Sequence, residues 1–253
     1  MRALLLLVAT GCGRFGFGDG TPPDAASTFD AASIDGVRID AADSFVLAGI
    51  VARYPMNDDP GTGAIGSPQL PAACAPCPTS AAGKHDGGYR FDGTVWFELP
   101  STTLVGVAPY SVAVWFKLAS YAGVGGGRSI VNKPLDPTTA LNVFNLVVID
   151  NGTASMESTA GTSNDYASSP TITSLDTWHH LVATWDGTTK RLYEDGTLQA
   201  ATAAAITDSA EPIRIGADRD YGNALYFFDG VLDELQFYGR VLSDPEIAGL
   251  AAQ

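Results

Sequence analysis

The feature that most constrains the fold is a pair of Asp-Gly steps within residues 178–197, WHHLVATWDGTTKRLYEDGT. From Trp178 to Trp185 apolar residues occupy both parities of an alternating pattern, as expected for an inner strand with two buried faces. Asp186-Gly187 interrupts this run, and alternation resumes at Arg191. Asp195-Gly196 then follows as a two-residue loop whose residues tolerate the positive φ of a type I′ turn. The stretch predicts a strand meander and not a helix.

Alternation elsewhere in the chain extends this prediction to an all-β domain. Even-numbered residues of Tyr110–Leu118 are apolar or aromatic, which predicts a strand with that face on the core. Further short strands are expected at 45–56, 89–93, 95–99, 128–132 and 143–150, whereas the polar residues 158–176 predict a loop. At the end, Ser243-Asp244-Pro245-Glu246 is a capping-box sequence that predicts a short helix closing the sheet edge.

Composition agrees with one turn-rich sheet domain, since 28 Gly and 15 Pro are distributed among short apolar runs. The formal net charge of −14 disfavours nucleic acid and anionic lipid as partners, because such a surface repels phosphate. The same acidity leaves carboxylates available for Ca²⁺, which prefers oxygen ligands.

The Trp-His-His strand, its Asp-Gly step, the Arg-Leu-Tyr strand and the second Asp-Gly resemble the signature of laminin-G-like jelly-roll domains in the concanavalin A-like lectin/glucanase superfamily. A second match lies at 213–216 and at 228–243, which includes FDGVLDELQFY. The resemblance covers roughly residues 45–253. It implies a two-sheet antiparallel jelly-roll sandwich, here with a short C-terminal helix. It also implies a binding function more than a catalytic one.

The N-terminus predicts export. Arg2 followed by the apolar residues 3–9 forms a short signal peptide over 1–11, and Ala9-Thr10-Gly11-Cys12 resembles a bacterial lipoprotein lipobox. Cys12 would then be lipidated and anchor the chain to a bacterial membrane, at the outer membrane or cell surface. An ordinary secretory signal, with Cys12 by chance near the cut, is the alternative. No later run is long and apolar enough to span a bilayer.

Residues 12–44 predict an acidic, extended tether, because six aspartates and one arginine between residues 19 and 43 are spaced by small residues. The folded domain is therefore expected over 45–253. Within it, Cys74 and Cys77 are the thiols left after processing, and an oxidising compartment favours a local disulfide between them. A zinc half-site or a redox CxxC is less favoured, because neither a second CxxC nor a βαβ setting accompanies them.

Asp233 requires a partner if the strand pattern holds. It shares parity with Val231, Leu235 and Phe237, so the pattern predicts that its carboxylate faces the core, where an unpaired charge is costly. The superfamily resemblance implies a structural calcium ion at this strand, held by Asp233. Hydrogen bonds to backbone, Arg or Lys are the alternative.

The same resemblance offers weaker calcium ligands on early turns and next to Asp233. These are Asp92, Asn57 and the carbonyl of Gly230. The histidine pair 179–180 lacks a third ligand at metal-site spacing, and we expect it to pack and hydrogen-bond.

Loop tyrosines are the candidates for stacking on sugar rings: Tyr121, Tyr166 and Tyr221. No catalytic carboxylate pair is identifiable, since Asp233 and Glu234 point to opposite faces and Glu98 and Glu157 stand alone. We therefore predict an extracytoplasmic, monomeric binding module for carbohydrate or a surface protein, meeting the membrane only through its anchor. A polysaccharide hydrolase or lyase, or a structural adhesion protein, is the alternative.

Overall fold

A computed structural model describes residues 48–60, 72–99, 104–121, 123 and 126–253. The predicted signal peptide (1–11), Cys12, the tether (12–44) and the predicted domain start at 45 lie outside these residues and stay predictions. Within the described ranges, no helix has the length and hydropathy needed to cross a membrane.

The described chain contains sixteen strands and a final helix. In chain order these are β1 (Ile50–Tyr54), β2 (Thr79–Ala82), β3 (Gly87–Asp92), β4 (Phe97–Leu99), β5 (Tyr110–Leu118), β6 (Gly127–Pro134), β7 (Asn142–Ile149), β8 (Thr153–Thr159), β9 (Asn164–Ile172), β10 (Trp178–Trp185), β11 (Thr189–Glu194), β12 (Thr197–Ala203), β13 (Ile213–Ile215), β14 (Asp218–Asp220), β15 (Asn223–Leu225), β16 (Asp229–Tyr238) and α1 (Asp244–Ala251).

These strands form two large antiparallel sheets in a jelly-roll-like sandwich, which confirms the predicted fold class. The eight-stranded sheet has the order β12-β11-β10-β5-β16-β3-β2, with β1 also paired to β16. The six-stranded sheet has the order β4-β13-β6-β7-β8-β9, and β14 and β15 form a separate hairpin. The segments predicted as strands at 89–93 and 95–99 belong to different sheets.

The alternating residues of β5 build the core between the sheets. Val112, Val114 and Phe116 are fully buried there with Phe144 and Leu146 of β7. Burying these side chains is the main favourable term in folding, at about 25 cal/mol per Å² of apolar surface. The predicted core face of β5 is confirmed.

The meander at 178–197 also forms as predicted. β10 lies between β5 and β11, and β11 pairs with β12. In the connecting loop Asp195 has φ 50° and Gly196 has φ 78°, as a type I′ turn requires.

The C-terminal helix packs on a face, whereas the sequence predicted that it would close an edge. Ile247 and Leu250 belong to one buried apolar cluster with Val182 and Tyr193 on the outer face of the eight-stranded sheet. The capping box is confirmed, because the Glu246 carboxylate accepts hydrogen bonds from the backbone N–H and the hydroxyl of the N-cap serine. Apolar residues on that outer face need a cover, and the amphipathic helix supplies it.

Residues 158–176 are not the loop that their polarity predicted, since they contain β9 at the edge of the six-stranded sheet. Ala167 and Ser169 are the buried positions of this strand, so its inward residues are small and one is polar. Such a strand carries no apolar period in its sequence. The Cys74–Cys77 disulfide is present, with 4.9 Å between the Cα atoms.

Candidate functional site

A polar groove of about 180 Å³ opens on the outer face of the six-stranded sheet. Its polar lining comes from β7, β8, β9 and the β14–β15 hairpin and comprises Asn142, Asn145, Glu157, Asn164, Asp218 and Asp220. Two tyrosines, Tyr166 and Tyr226, also line it, together with small and aliphatic residues.

Strand alternation brings these residues to one face. In β7 the neighbours Phe144 and Leu146 point into the core, so Asn145 between them points outward. Asp218 and Asp220 are two residues apart in β14, so both carboxylates share a side of that strand. The hairpin therefore delivers two acids to a face that already presents amides.

One amide bridges two carboxylates at the centre of the groove. Asn145 Nδ2 donates hydrogen bonds to Glu157 Oε2 at 3.0 Å and to Asp218 Oδ2 at 2.9 Å. Because both oxygens contact the same nitrogen, they are at most about 6 Å apart. The Ser129 hydroxyl donates to Asn145 Oδ1 at 2.7 Å, which holds the amide in this orientation.

Burial and mutual repulsion make these carboxyls unusually basic. The pKa of Asp218 is raised to about 8, first by burial and then by the charges of Asp220 and Glu157. Burial also raises the pKa of Glu157, although hydrogen bonds from Asn145 and Asn142 oppose this. At neutral pH the groove therefore contains a protonated Asp218, a hydrogen-bond donor among acceptors.

Asp220 adds an unused acceptor. Its Oδ1 atom is buried and has no hydrogen-bond partner within the described residues, and the residue as a whole is 6% exposed. Burial raises its pKa, although a side-chain hydrogen bond with Tyr226 opposes this. Burial raises the pKa of Tyr226 to about 12, and the negative charge of Asp220 is the second largest contribution to this increase.

The three predicted stacking tyrosines occupy different places, and only Tyr166 lines the groove. Tyr166 is 50% exposed and lies opposite Glu157 in the β8–β9 ladder. Tyr121 instead donates its hydroxyl hydrogen bond to the carbonyl of Thr173 at 2.5 Å. Tyr221 is 69% exposed in the β14–β15 turn.

Sequence reasoning missed the carboxylate cluster, because Glu157 has no acidic neighbour in the sequence. The structure brings it to Asp218 and Asp220 across more than sixty residues of chain. A signal was present in Asp218-Arg219-Asp220, since acids at i and i+2 of a strand share one face.

The predicted core orientation of Asp233 is wrong. Glu234 has φ 50° and forms a bulge, where the register of β16 against β5 shifts. The extra residue restores Leu235 to the core but leaves Asp233 on the outer face, opposite Trp115.

Asp233 is nevertheless fully buried, because the β2–β3 loop covers it. The backbone N–H of His85 donates to its Oδ2 atom at 2.8 Å, whereas Oδ1 has no partner within the described residues. Burial is the largest of the factors that raise its pKa, to about 7. On the same face the His180 ring is tilted against the Trp115 ring, with 4.9 Å between the ring centroids, and burial lowers the pKa of His180 to about 4.

The other predicted calcium ligands do not all lie around Asp233, and two of them have other hydrogen-bond partners. Asp92 accepts hydrogen bonds from the backbone and hydroxyl of Thr94, and the Gly230 carbonyl accepts one from Arg90. In the part of the chain that is described, no three acidic, histidine or cysteine side chains are arranged to hold a metal.

Asn57 is the exception among these candidates, since it borders the same loop as Asp233. Its Oδ1 atom accepts a hydrogen bond at 2.9 Å from Gly87. A Cβ on Gly83 would meet both the Gly87 carbonyl and Asp233 Oδ2 within 3 Å. Two of the four predicted ligands therefore lie around one loop, and one of them has an unpartnered oxygen, which fits an oxygen-seeking cation.

Comparison with known proteins yields a family and a fold. A family model described as the concanavalin A-like lectin/glucanases superfamily matches residues 91–248. No curated protein matches the chain in sequence.

Three solved structures illustrate the likeness. The binding domain of Paraclostridial Mosquitocidal Protein 1 has 13% identity and a TM-score of 0.65, over 81% of this chain and 52% of that one. Domain 4 of AbnA, a GH43 extracellular arabinanase from Geobacillus stearothermophilus, in complex with arabinotriose, has 17% identity and a TM-score of 0.55 (80% and 98%). The CBM40 of Ruminococcus gnavus IT-sialidase, bound to alpha2,3 sialyllactose, has 17% identity and a TM-score of 0.56 (65% and 96%).

The chain thus spans about half the length of the mosquitocidal binding domain and nearly all of the other two. At such identities these likenesses establish a shared fold alone.

Proposed function

Because the chain belongs to the concanavalin A-like lectin/glucanase superfamily, we propose that it is an exported carbohydrate-binding module whose binding site is the groove on the six-stranded sheet. The observation that carries this proposal is the Asn145 amide held between Glu157 and Asp218, beside the half-exposed ring of Tyr166. Sugar sites combine such fixed polar groups with an aromatic surface.

The groove supplies both kinds of hydrogen bond that sugar hydroxyls need. Glu157 and Asp220 offer acceptor oxygens, and a protonated Asp218 offers a donor. Tyr166 offers an apolar face on which the C–H side of a sugar ring can pack. The rigid sheet beneath fixes these groups in advance, which lowers the entropic cost of binding.

The solved structures support a carbohydrate ligand for a domain of this shape. The arabinanase domain was solved with arabinotriose and the sialidase CBM40 with sialyllactose. These ligands belong to those proteins, and the groove residues of this chain carry the argument for its own site.

Replacing Tyr166 by alanine is expected to weaken glycan binding about fivefold or more, because an aromatic contact contributes roughly 1 kcal/mol beyond its buried area. Replacement by phenylalanine keeps the ring and should leave the affinity nearly unchanged. A glycan array would identify the ligand, and isothermal titration calorimetry would then compare the two variants. An array on which the folded protein retains no glycan would contradict the proposal and favour a surface protein as the partner.

A second candidate function is glycoside hydrolysis, which the Glu157–Asp218 pair favours. Their oxygens are at most about 6 Å apart, and retaining glycosidases place two carboxyls about 5 Å apart. Asp218, whose pKa is near 8, could donate a proton to a leaving group, and Glu157 could act as the nucleophile. Release of reducing ends from the bound glycan, lost on Glu157→Gln, would establish this activity, and its absence would leave a binding module.

We also propose that calcium stabilises the domain at Asp233 and Asn57. The ion would satisfy the unpartnered Asp233 Oδ1 and tie the loop over 83–87 to β16. Adding EGTA should therefore lower the melting temperature by several degrees, and excess CaCl₂ should restore it. Asp233→Asn should lose most of this calcium response, whereas Asp92→Asn should keep it. A melting temperature unaffected by EGTA would exclude the ion.

A further inference from the structure

The groove is lined by three acids and by no basic residue among those described. Glu157, Asp218 and Asp220 are its charged lining residues. Their pKa values are all raised by burial, and mutual repulsion adds to this at Asp218. Such a site gains free energy from a ligand that brings positive charge.

Nearby basic side chains are engaged elsewhere. The Arg219 guanidinium, although it lies between the two aspartates in sequence, forms an ion pair with Glu211 at 2.7 Å. Lys190 is fully buried and donates to the Ser158 hydroxyl and to the Asp165 carbonyl. The charge of Lys190 lowers the pKa of Glu157, but this is the smallest of the effects on that pKa.

An independent observation points to a donor that is missing from the protein. Asp220 is more than nine-tenths buried and lines the groove. Its side chain forms a hydrogen bond with Tyr226, but its Oδ1 atom has no hydrogen-bond partner in the described chain. A buried acceptor in this state is unfavourable, because the hydration that it loses is not replaced by a hydrogen bond. A ligand N–H group placed in the groove would remove that cost.

We propose that the groove recognises a sugar with a free ammonium group, such as a glucosamine residue, and rejects sugars that carry a carboxylate. This inference rests on the proposed carbohydrate-binding function and names its substrate class. An ammonium has three N–H donors and a positive charge, which suit Asp220 Oδ1 and the Asn145-bridged pair. A sialic or uronic acid would instead bring a further negative charge into a groove whose charged lining residues are all acids.

Tyr166 supports the same ligand class. Its half-exposed ring borders the groove opposite Glu157, and the face of an aromatic ring attracts a cation within about 6 Å. An amino sugar that packs on this ring would place its ammonium between the ring and the acids.

The test is calorimetric titration of the full chain with the glucosamine trimer, the N-acetylglucosamine trimer and sialyllactose, at mildly acidic pH where the free amines are protonated. We expect the glucosamine trimer to bind at least tenfold more tightly than the N-acetylated trimer, and sialyllactose not to bind. The preference should shrink with added salt, because charge attraction is screened.

Asp220→Asn should weaken binding of the glucosamine trimer more than binding of the N-acetylated trimer, so that the preference for the amine falls several-fold. Asp176→Asn is the matched control, since it removes the same charge at an exposed position outside the groove and should leave the preference intact. Equal binding of both trimers, or tight binding of sialyllactose, would overturn the inference and leave the carbohydrate-binding function standing. Failure to bind any glycan would overturn both.

Discussion

Raising the pH from 6.5 to 8 is expected to lower the free energy of unfolding by about 2 kcal/mol through Asp218 alone. Burial and the neighbouring acids raise the pKa of this carboxyl to about 8 in the folded protein, whereas an unfolded chain releases the proton near pH 4. Between these values the folded state holds a proton that the unfolded state has lost. Stability therefore falls as the pH rises through this window.

Between pH 6.5 and 8 the effect of Asp218 on stability can be measured apart from groups whose titration makes the protein more stable as the pH rises. Buried His180, with its pKa lowered to about 4, adds stability as the pH rises towards 6.5. Lys190, with its pKa lowered to about 8, adds stability only at higher pH. Asp233 and His179, whose pKa values are raised, act in the same direction as Asp218 and remain in the variant described below.

Urea unfolding at several pH values measures this effect, with the calcium level held constant. Asp218→Asn should flatten the slope of stability against pH by about one proton, that is, by about 1.4 kcal/mol per pH unit. The slope is the readout because the substitution also changes hydrogen bonds with Asn145 and Asn142 and so shifts the absolute stability. Identical slopes for the variant and the native protein would show that Asp218 is ionised in the folded state.

Replacing Gly230 by alanine is expected to destabilise the protein by about 3 kcal/mol or more, or to prevent folding. An added Cβ would lie 2.2 Å from the Lys117 carbonyl of the neighbouring strand and 2.9 Å from the Phe228 ring. Neither a backbone carbonyl in a sheet nor a fully buried ring can move freely. The ladder between β5 and β16, at the centre of the eight-stranded sheet, would have to open.

Gly249→Ala is the matched control, because it makes the same chemical change in an exposed helical position with no atom within 4 Å. Since alanine is the better helix former by about 1 kcal/mol, this variant should be slightly more stable than the native protein. Thermal and urea unfolding would compare the two. A Gly230→Ala protein as stable as Gly249→Ala would mean that the two strands do not approach as closely as described.

The predicted features that the structure confirms are local ones. Each of three features depends on residues that are close together in the sequence: the turn at Asp195-Gly196, the core face of β5 and the capping box at Ser243. Backbone φ preferences and side-chain alternation act at that range, so their patterns are legible in the sequence. The disulfide between Cys74 and Cys77 belongs to the same class.

The errors have equally specific causes. Strand β9 carries small and polar residues on its inward face, so its sequence lacks the alternation of apolar residues by which a strand is recognised. The bulge at Glu234 adds one residue to β16 and reverses the parity of Asp233 relative to Leu235. The alternation of apolar and polar residues does not reveal a single extra residue of this kind, because the alternation is regular on both sides of the bulge.

The arrangement of side chains in the groove follows from strand order and sheet packing, which no local pattern encodes. Asn145 and Asp218 are 73 residues apart in sequence, yet their side chains hydrogen-bond at 2.9 Å. Their encounter requires that β7 lie inside the six-stranded sheet and that the β14–β15 hairpin fold against it. Alternation and turn chemistry therefore predict an all-β domain from the chain itself, and the family resemblance adds the two-sheet sandwich. The carboxyl groups meet only once long-range contacts have set the strands side by side.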